Sequence, residues 1–219
     1  MVDSFEAKGK RRKLVEEVRR KGIADERVLE ALNEVPRHYF IDPAFLHHAY
    51  QDKAFPISSG QTISQPYTVA FQTELLNVQK GSKILEIGTG SGYQAAILAA
   101  MGARVYTIER HRNLYQQARK MIISLGYDVS FFFGDGYSGR PAYAPYDGIL
   151  ITAAAPEIPV VLLDQLAMNG RLVVPVGKGS VQSMMLVERR GESDFVESRH
   201  GQFSFVPMLP GVVRGREES

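Results

Sequence analysis

The sequence encodes an α/β protein built on a doubly wound, Rossmann-like sheet, with helices ahead of it and an antiparallel edge behind it. Three observations point there. Apolar, β-prone runs at residues 83–87, 104–108, 129–133, 148–152 and 171–176 alternate with helical segments at 94–101, 114–125 and 160–167, the pattern of a parallel sheet with crossover helices. The first run ends in a glycine-rich turn, Gly88-Thr89-Gly90-Ser91-Gly92, that opens the first of those helices. Two final runs, 183–188 and 202–207, have no helix between them and flank the turn-rich 190–194, which predicts an antiparallel pair at the sheet edge.

The elements before the sheet follow in order. Leu14, Val15, Val18, Val28, Leu29 and Leu32 recur at helical spacing, and Gly22 and Asp25 divide them into two short helices. Pro36 and Pro43 punctuate the chain, and 45–50 predicts a helical turn. Residues 51–67 hold Pro56, Ser58, Ser59, Gly60, Ser64 and Pro66 without a period. They predict a long irregular loop of the kind that carries function. A helix near 68–76 leads into the sheet. We read one domain, 1–219, with N-terminal helices and a site loop (1–67), a cofactor-binding core (68–180), and C-terminal strands and tail (181–219).

Composition narrows the classes. With 219 residues, 44% of them hydrophobic, the chain can bury one substantial core. A net charge of +2 gives no field strong enough to steer the whole molecule onto nucleic acid, and the basic cluster Lys8, Lys10, Arg11, Arg12, Lys13, Arg19, Arg20 and Lys21 reads as a solvated helix face. There is no cysteine, hence no disulfide and no thiolate nucleophile. The N-terminus lacks a signal-like apolar stretch and no apolar run reaches membrane-spanning length, so the reading is a soluble, cytoplasmic protein. His38, His47, His48, His111 and His200 are scattered or adjacent, read as structural or surface residues, and predict no metal site.

The chemistry concentrates at the glycine turn. Three glycines let backbone turn sharply and approach a ligand at the carboxyl end of a strand; the bland alternative is a tight turn alone. Nucleotide-cofactor dehydrogenases use G-x-G-x-x-G, whereas this spacing is G-x-G-x-G, preceded by Glu86. A carboxylate there disfavours a pyrophosphate and favours a cationic amino-acid moiety, which selects S-adenosylmethionine (SAM), a ligand with an ammonium, a sulfonium and no phosphate. Glu109 ends the next strand 21 positions after Gly88, where a carboxylate accepts from ribose hydroxyls; a surface pair with Arg110 is the alternative. Asp135, in Gly134-Asp135-Gly136-Tyr137, sits after the third strand, placed for an adenine amino group or for a turn that caps its own backbone.

Longer strings make the reading specific. Val35-Pro36-Arg37, Gly60-Gln61-Thr62-Ile63-Ser64-Gln65-Pro66-Tyr67, Glu86-Ile87-Gly88-Thr89-Gly90-Ser91-Gly92-Tyr93-Gln94-Ala95-Ala96 and Thr152-Ala153-Ala154-Ala155-Pro156-Glu157-Ile158-Pro159 occur in order. From about Val35 to Gly177 the chain resembles the protein-L-isoaspartate O-methyltransferase family, with a weaker echo at Phe205-Val206-Pro207. The resemblance implies methyl transfer from SAM, leaving S-adenosylhomocysteine, to the free carboxylate of L-isoaspartyl and D-aspartyl residues in damaged proteins. The ester then cyclises to a succinimide whose hydrolysis restores some aspartate. The resemblance also implies a monomer, Ser64 as the active-site serine, and cofactor positions at Thr62, Ile63, Glu86, Gly88, Thr89, Gly90, Gly92, Glu109, Asp135 and Gly136. Leu209 departs from the pattern, since many relatives carry threonine there.

Other readings stay open on the residues alone. Ser64 is equally placed to cap the helix near Tyr67. The basic N-terminus admits an RNA or DNA methyltransferase, although the absence of cysteine excludes base-carbon methylation through a thiolate. A catalytically silent adaptor that binds SAM or damaged peptide is the third.

Overall fold

A computed structural model describes residues 3–214. Helix α1 (Phe5–Arg20) starts at Ser4, whose side chain accepts from the Ala7 amide, and buries Leu14, Val15 and Val18. Helix α2 (Glu26–Glu34) starts at Asp25, which caps the Arg27 amide. The solvated face expected of the basic cluster has one exception, because Arg11 is buried against Asp3 and the Tyr50 hydroxyl. Short 3-10 turns at Arg37–Phe40 and Pro43–His48 follow. The segment read as an irregular loop contains a two-residue antiparallel pair, β1 (Phe55–Pro56) with β2 (Thr62–Ile63), joined through a 3-10 turn at Ser58–Gly60. It is too short for a period to register.

Helix α3 (Pro66–Leu76) leads into a seven-stranded sheet of β3 (Lys83–Ile87), β4 (Arg104–Glu109), β5 (Val129–Phe133), β6 (Tyr146–Ile151), β7 (Leu166–Val176), β8 (Gln182–Arg189) and β9 (Phe195–Phe203). Their order is β5-β4-β3-β6-β7-β8-β9, parallel through β7 and antiparallel beyond it. Helices α4 (Tyr93–Ala100), α5 (Arg112–Ser124) and the single turn α6 (Val160–Leu163) complete the chain. The core divides across the sheet. Ile84, Val105, Leu150 and Val173 face a cluster that includes residues of α1 to α5, and Leu85, Ile87, Ile149 and Val174 face one under α6 and the 206–208 region.

Two expectations are corrected. The helix expected over 160–167 stops after one turn, because the Tyr146 amide takes the Gln165 carbonyl and Leu166 pairs with Tyr146 as strand. The last strand is not 202–207 but β9, whose polar, half-exposed alternation hides it from a search for apolar runs. Residues 205–213 instead form a strap across the carboxyl ends of the strands. Val206 and Met208 bond to Ala154 (2.8 and 2.7 Å), and Val213 bonds to Arg110 (2.7 Å).

The strand order turns back between β3 and β6, since the chain builds outward to β5 and then resumes on the other side of β3. In open α/β sheets the crevice at such a switch point, at the carboxyl ends of the strands, is where ligands sit.

Candidate active site

At the switch point the backbone after β3 is forced by glycine. Gly88, Gly90 and Gly92 all have positive φ (96°, 54° and 90°), a region costly for a residue with a Cβ. Each does something different. A Cβ on Gly88 would stand 2.6 Å from the Thr152 hydroxyl at the end of β6, which donates to the Gly88 carbonyl at 2.6 Å. On Gly92 it would press on Ile122 and Ala118 of α5. On Gly90 it would meet only Ile57 at 3.8 Å and otherwise open space. Gly88 and Gly90 also border a cavity, open to solvent on one side, whose lining includes 61–64, Val69, 87–91, Tyr93, Gln94, 108–111, Gly136, Thr152, Ala153 and 206–209.

Of the residues implicated from sequence, Thr62, Ile63, Ser64, Gly88, Thr89, Gly90, Glu109 and Gly136 line this cavity, whereas Glu86, Gly92 and Asp135 do not. Gly92 serves helix packing. Glu86 is fully buried on the face of β3 that carries Ile84, accepting a 2.5 Å bond from the Thr107 hydroxyl, which lies 2.6 Å from that of Thr89. Burial, and secondarily the nearby Glu109, outweigh the Thr107 bond and push its carboxyl up to about 8. Burial therefore favours the neutral form of Glu86, which does not border the cavity and is linked to its lining through Thr107 and Thr89. Glu109 is the carboxylate that borders the cavity directly.

This state of Glu86 carries a pH signature. The unfolded carboxyl loses its proton near its ordinary 4.5 and the folded one near 8, so stability falls as pH rises between those values and levels off above them. Glu86→Gln mimics the protonated form. Thermal unfolding at pH 5, 7 and 9 is expected to show the variant gaining melting temperature over the parent progressively with pH; parallel profiles would contradict a neutral Glu86.

Glu109 is buried at the end of β4. It is not paired with Arg110, whose guanidinium goes to the Pro210 and Gly211 carbonyls of the strap. Its Oε2 accepts from the Gly90 amide (2.9 Å) and its Oε1 from the His111 amide (2.8 Å). A carboxylate offers about four lone-pair sites, so two remain for a vicinal diol in the cavity. Asp135 is occupied differently. Its Oδ1 caps the Tyr137 amide (2.9 Å) and its Oδ2 holds the strap at the Gly211 amide (2.6 Å). The self-capping turn is what forms, and Gly136, where a Cβ would collide with Ile87, gives the cavity its wall.

Ser64 does not cap α3. The helix has no side-chain cap at Gln65, and the Tyr67 amide is taken by Asp52 at 2.7 Å. Ser64 and Thr62 instead line the cavity and also an adjoining groove formed with Ala54, Gln65, Tyr67, Thr68, Val181 and 202–205. Of the Gln202 to Gly211 stretch, 202–205 wall the groove, while 206–209, Leu209 included, wall the cavity. His111, read as peripheral, lines the cavity too. Among the described residues no cluster of three or more metal-ligating side chains occurs. Sequence reasoning missed Thr107, Thr152 and Asp52. A polar residue inside a buried strand or at its end is the signal for the first two; Asp52 has none.

The glycine cradle and the two spare acceptor sites of Glu109 fit an adenosyl nucleoside. Dehydrogenases on related sheets offer backbone amides to a pyrophosphate. Here the Gly90 amide is committed to a carboxylate, so a phosphate in that place would face Glu109 at short range. The site belongs with the sheets that bind SAM, and the protein with the methyltransferases that use it.

Within that class the chain belongs to the protein-L-isoaspartate(D-aspartate) O-methyltransferase family, whose model matches residues 9–212. It is 55% identical over 210 residues to protein-L-isoaspartate O-methyltransferase of Christiangramia forsetii, covering 95% of this chain and 98% of the relative. It is 54% identical to that of Cytophaga hutchinsonii, covering 95% of each. A solved Plasmodium falciparum structure described as an enzyme of this kind, in complex with S-adenosyl-L-homocysteine, superposes with a TM-score of 0.80 at 26% identity, covering 91% of this chain and 98% of that one.

Proposed function

We propose that the protein transfers a methyl group from SAM to the free carboxylate of L-isoaspartyl, and of D-aspartyl, residues in damaged proteins, with Ser64 positioning that carboxylate. The observation that carries the reading is the shared position of Ser64, on the wall of the cavity and of the groove beside it. A group bound in one compartment meets a group bound in the other at that hydroxyl.

The remaining chemistry suits a carboxylate acceptor. SAM supplies an electrophilic methyl group; the acceptor, with a pKa of about 4, is already ionised at neutral pH and needs no general base. The groove is lined by Ala54, Gln65, Tyr67, Thr68, Val181 and similar neutral residues. A cation there would stabilise the carboxylate before attack and lower its reactivity, while a hydroxyl can hold one oxygen and leave the other free. The same neutral lining suits damaged sites in many sequence contexts and offers no lysine or arginine to a nucleic-acid backbone. Thr62, Ile63, Thr89, Gly90 and Glu109 hold the cofactor in this reading, with Glu86, Gly92, Asp135 and Gly136 shaping the pocket around it. A cytoplasmic enzyme fits the absence of cysteine, and among the described residues no helix is long and apolar enough to cross a membrane.

The test is Ser64→Ala assayed on an isoaspartyl peptide. Its kcat/KM is expected to fall by roughly 100-fold, the cost of loose positioning, while the Kd for S-adenosylhomocysteine stays within about threefold. Unchanged turnover would remove Ser64 from the reaction.

A further inference from the structure

We propose that Asp52 is the positioning residue that holds Ser64 in register; this rests on the role given to Ser64 above. The Asp52 side chain is 2% exposed, on the turn that precedes β1. Its Oδ1 accepts from the Tyr67 amide at 2.7 Å, and its Oδ2 accepts from the Gln65 side-chain amide at 2.9 Å and from the Lys21 ammonium at 2.5 Å. Gln65 and Tyr67 lie one and three residues after Ser64. Asp52 thus caps from a distance a helix that lacks a cap of its own, satisfying an amide left without an intrahelical partner and placing negative charge where the helix end favours it.

On its other side Ser64 follows Ile63, which is buried and paired to Phe55 in the short β1–β2 ladder. Two residues of strand pairing fix a loop only weakly, and beside the burial of Pro66, Thr68 and Val69 the Asp52 bonds are the polar anchors that set where the backbone goes after Ser64. The turn that presents Asp52 is itself pinned. Arg37, fully buried beneath it, donates from Nε to the Ala49 carbonyl (3.1 Å) and from Nη2 to the Lys53 carbonyl (3.1 Å), one on each side of Asp52 in sequence. Its guanidinium packs on the Tyr93 ring at 4.9 Å. A continuous set of contacts therefore runs from the start of α4, next to the glycine turn, through Arg37 and Asp52 to Gln65, Tyr67 and Ser64. Lys21 brings α1 into the same network and supplies a cation that a nearly buried carboxylate requires.

The experiment compares Asp52→Ala, Asp52→Asn, Ser64→Ala and the Asp52→Ala/Ser64→Ala double variant in full-length protein. The measurements are isoaspartyl-peptide kinetics at saturating SAM, S-adenosylhomocysteine affinity by calorimetry, and melting temperature. Asp52→Ala is expected to lower kcat/KM for the peptide by about 100-fold, as a displacement near 1 Å of a positioned group does, with cofactor affinity within about threefold of the parent. Asp52→Asn keeps an oxygen for the Tyr67 amide but turns an NH2 toward the Gln65 and Lys21 donors, so it is expected to recover part of that loss, about tenfold of the 100. The double variant should be no slower than Ser64→Ala, because one residue acts through the other. Asp52→Ser, too short to reach Tyr67, replaces the alanine variant should that fold poorly. Peptide kinetics near the parent value in Asp52→Ala, or losses in the double variant equal to the product of the singles, would overturn the proposal. Full activity of Ser64→Ala would instead overturn the reading of Ser64 on which it stands.

Discussion

Replacing Glu109 with alanine is expected to weaken S-adenosylhomocysteine and SAM binding by at least about 100-fold. Its carboxylate has two lone-pair sites left after serving the Gly90 and His111 amides, and hydrogen bonds to a charged acceptor contribute about 1.5–3 kcal/mol each. Two such bonds total about 3 kcal/mol at the lower bound, and about 2.7 kcal/mol is 100-fold in affinity. The variant also strands the two amides, so the glycine turn keeps its backbone bonds to Ile108 but loses one of its ties to β4, and the measured effect should exceed the lower bound. Calorimetric titration with S-adenosylhomocysteine reads this directly. Because Glu109 borders the cavity and not the groove, turnover at saturating SAM should fall far less than affinity. A Kd within threefold of the parent would mean that the nucleoside is held elsewhere.

The second large effect separates folding from binding at the glycine turn. Gly88→Ala places a methyl 2.6 Å from the Thr152 hydroxyl at a φ of 96°. It must break the bond from Thr152 to the Gly88 carbonyl and is expected to cost stability, on the order of 2 kcal/mol or more, together with cofactor binding. Gly90→Ala has a φ of 54°, close to the left-handed helical region, and nothing nearer than 3.8 Å. It should lose only about 1 kcal/mol of stability, yet it sits on the cavity wall and its added methyl is expected to weaken cofactor binding by tenfold or more, about 1.4 kcal/mol. Denaturant titration beside calorimetry distinguishes the two. Equal stability losses, or a Gly90→Ala protein that binds normally, would show that the cavity at Gly90 is not where the ligand lies.

Where sequence reading succeeded, local chemistry decided the outcome. β3 is a continuous buried run ending in glycines that cannot be anything but a sharp turn, and both its ends were legible; so were those of β5. The polar strand β9 and the strap were not, because their partners lie far away in sequence: Met208 with Ala154, Gly211 with Asp135, Val213 with Arg110. The same divide runs through the site. Gly88, Gly90 and Glu109 sit at strand ends whose position is set by the strands themselves. Glu86 was placed correctly in its strand, but the burial that raises its carboxyl pKa depends on what packs against the sheet. Asp52 belongs to a segment without period, and its bonds to residues 13 and 15 positions on follow from a fold that no local pattern announces.

The most direct measurement is transfer of radiolabelled methyl from SAM to a short isoaspartyl peptide, run beside its normal aspartyl twin. The account predicts label on the isoaspartyl peptide alone, released by base as methanol. Equal labelling of both peptides, or none on either while S-adenosylhomocysteine still binds, would contradict it and leave a methyltransferase whose acceptor lies elsewhere.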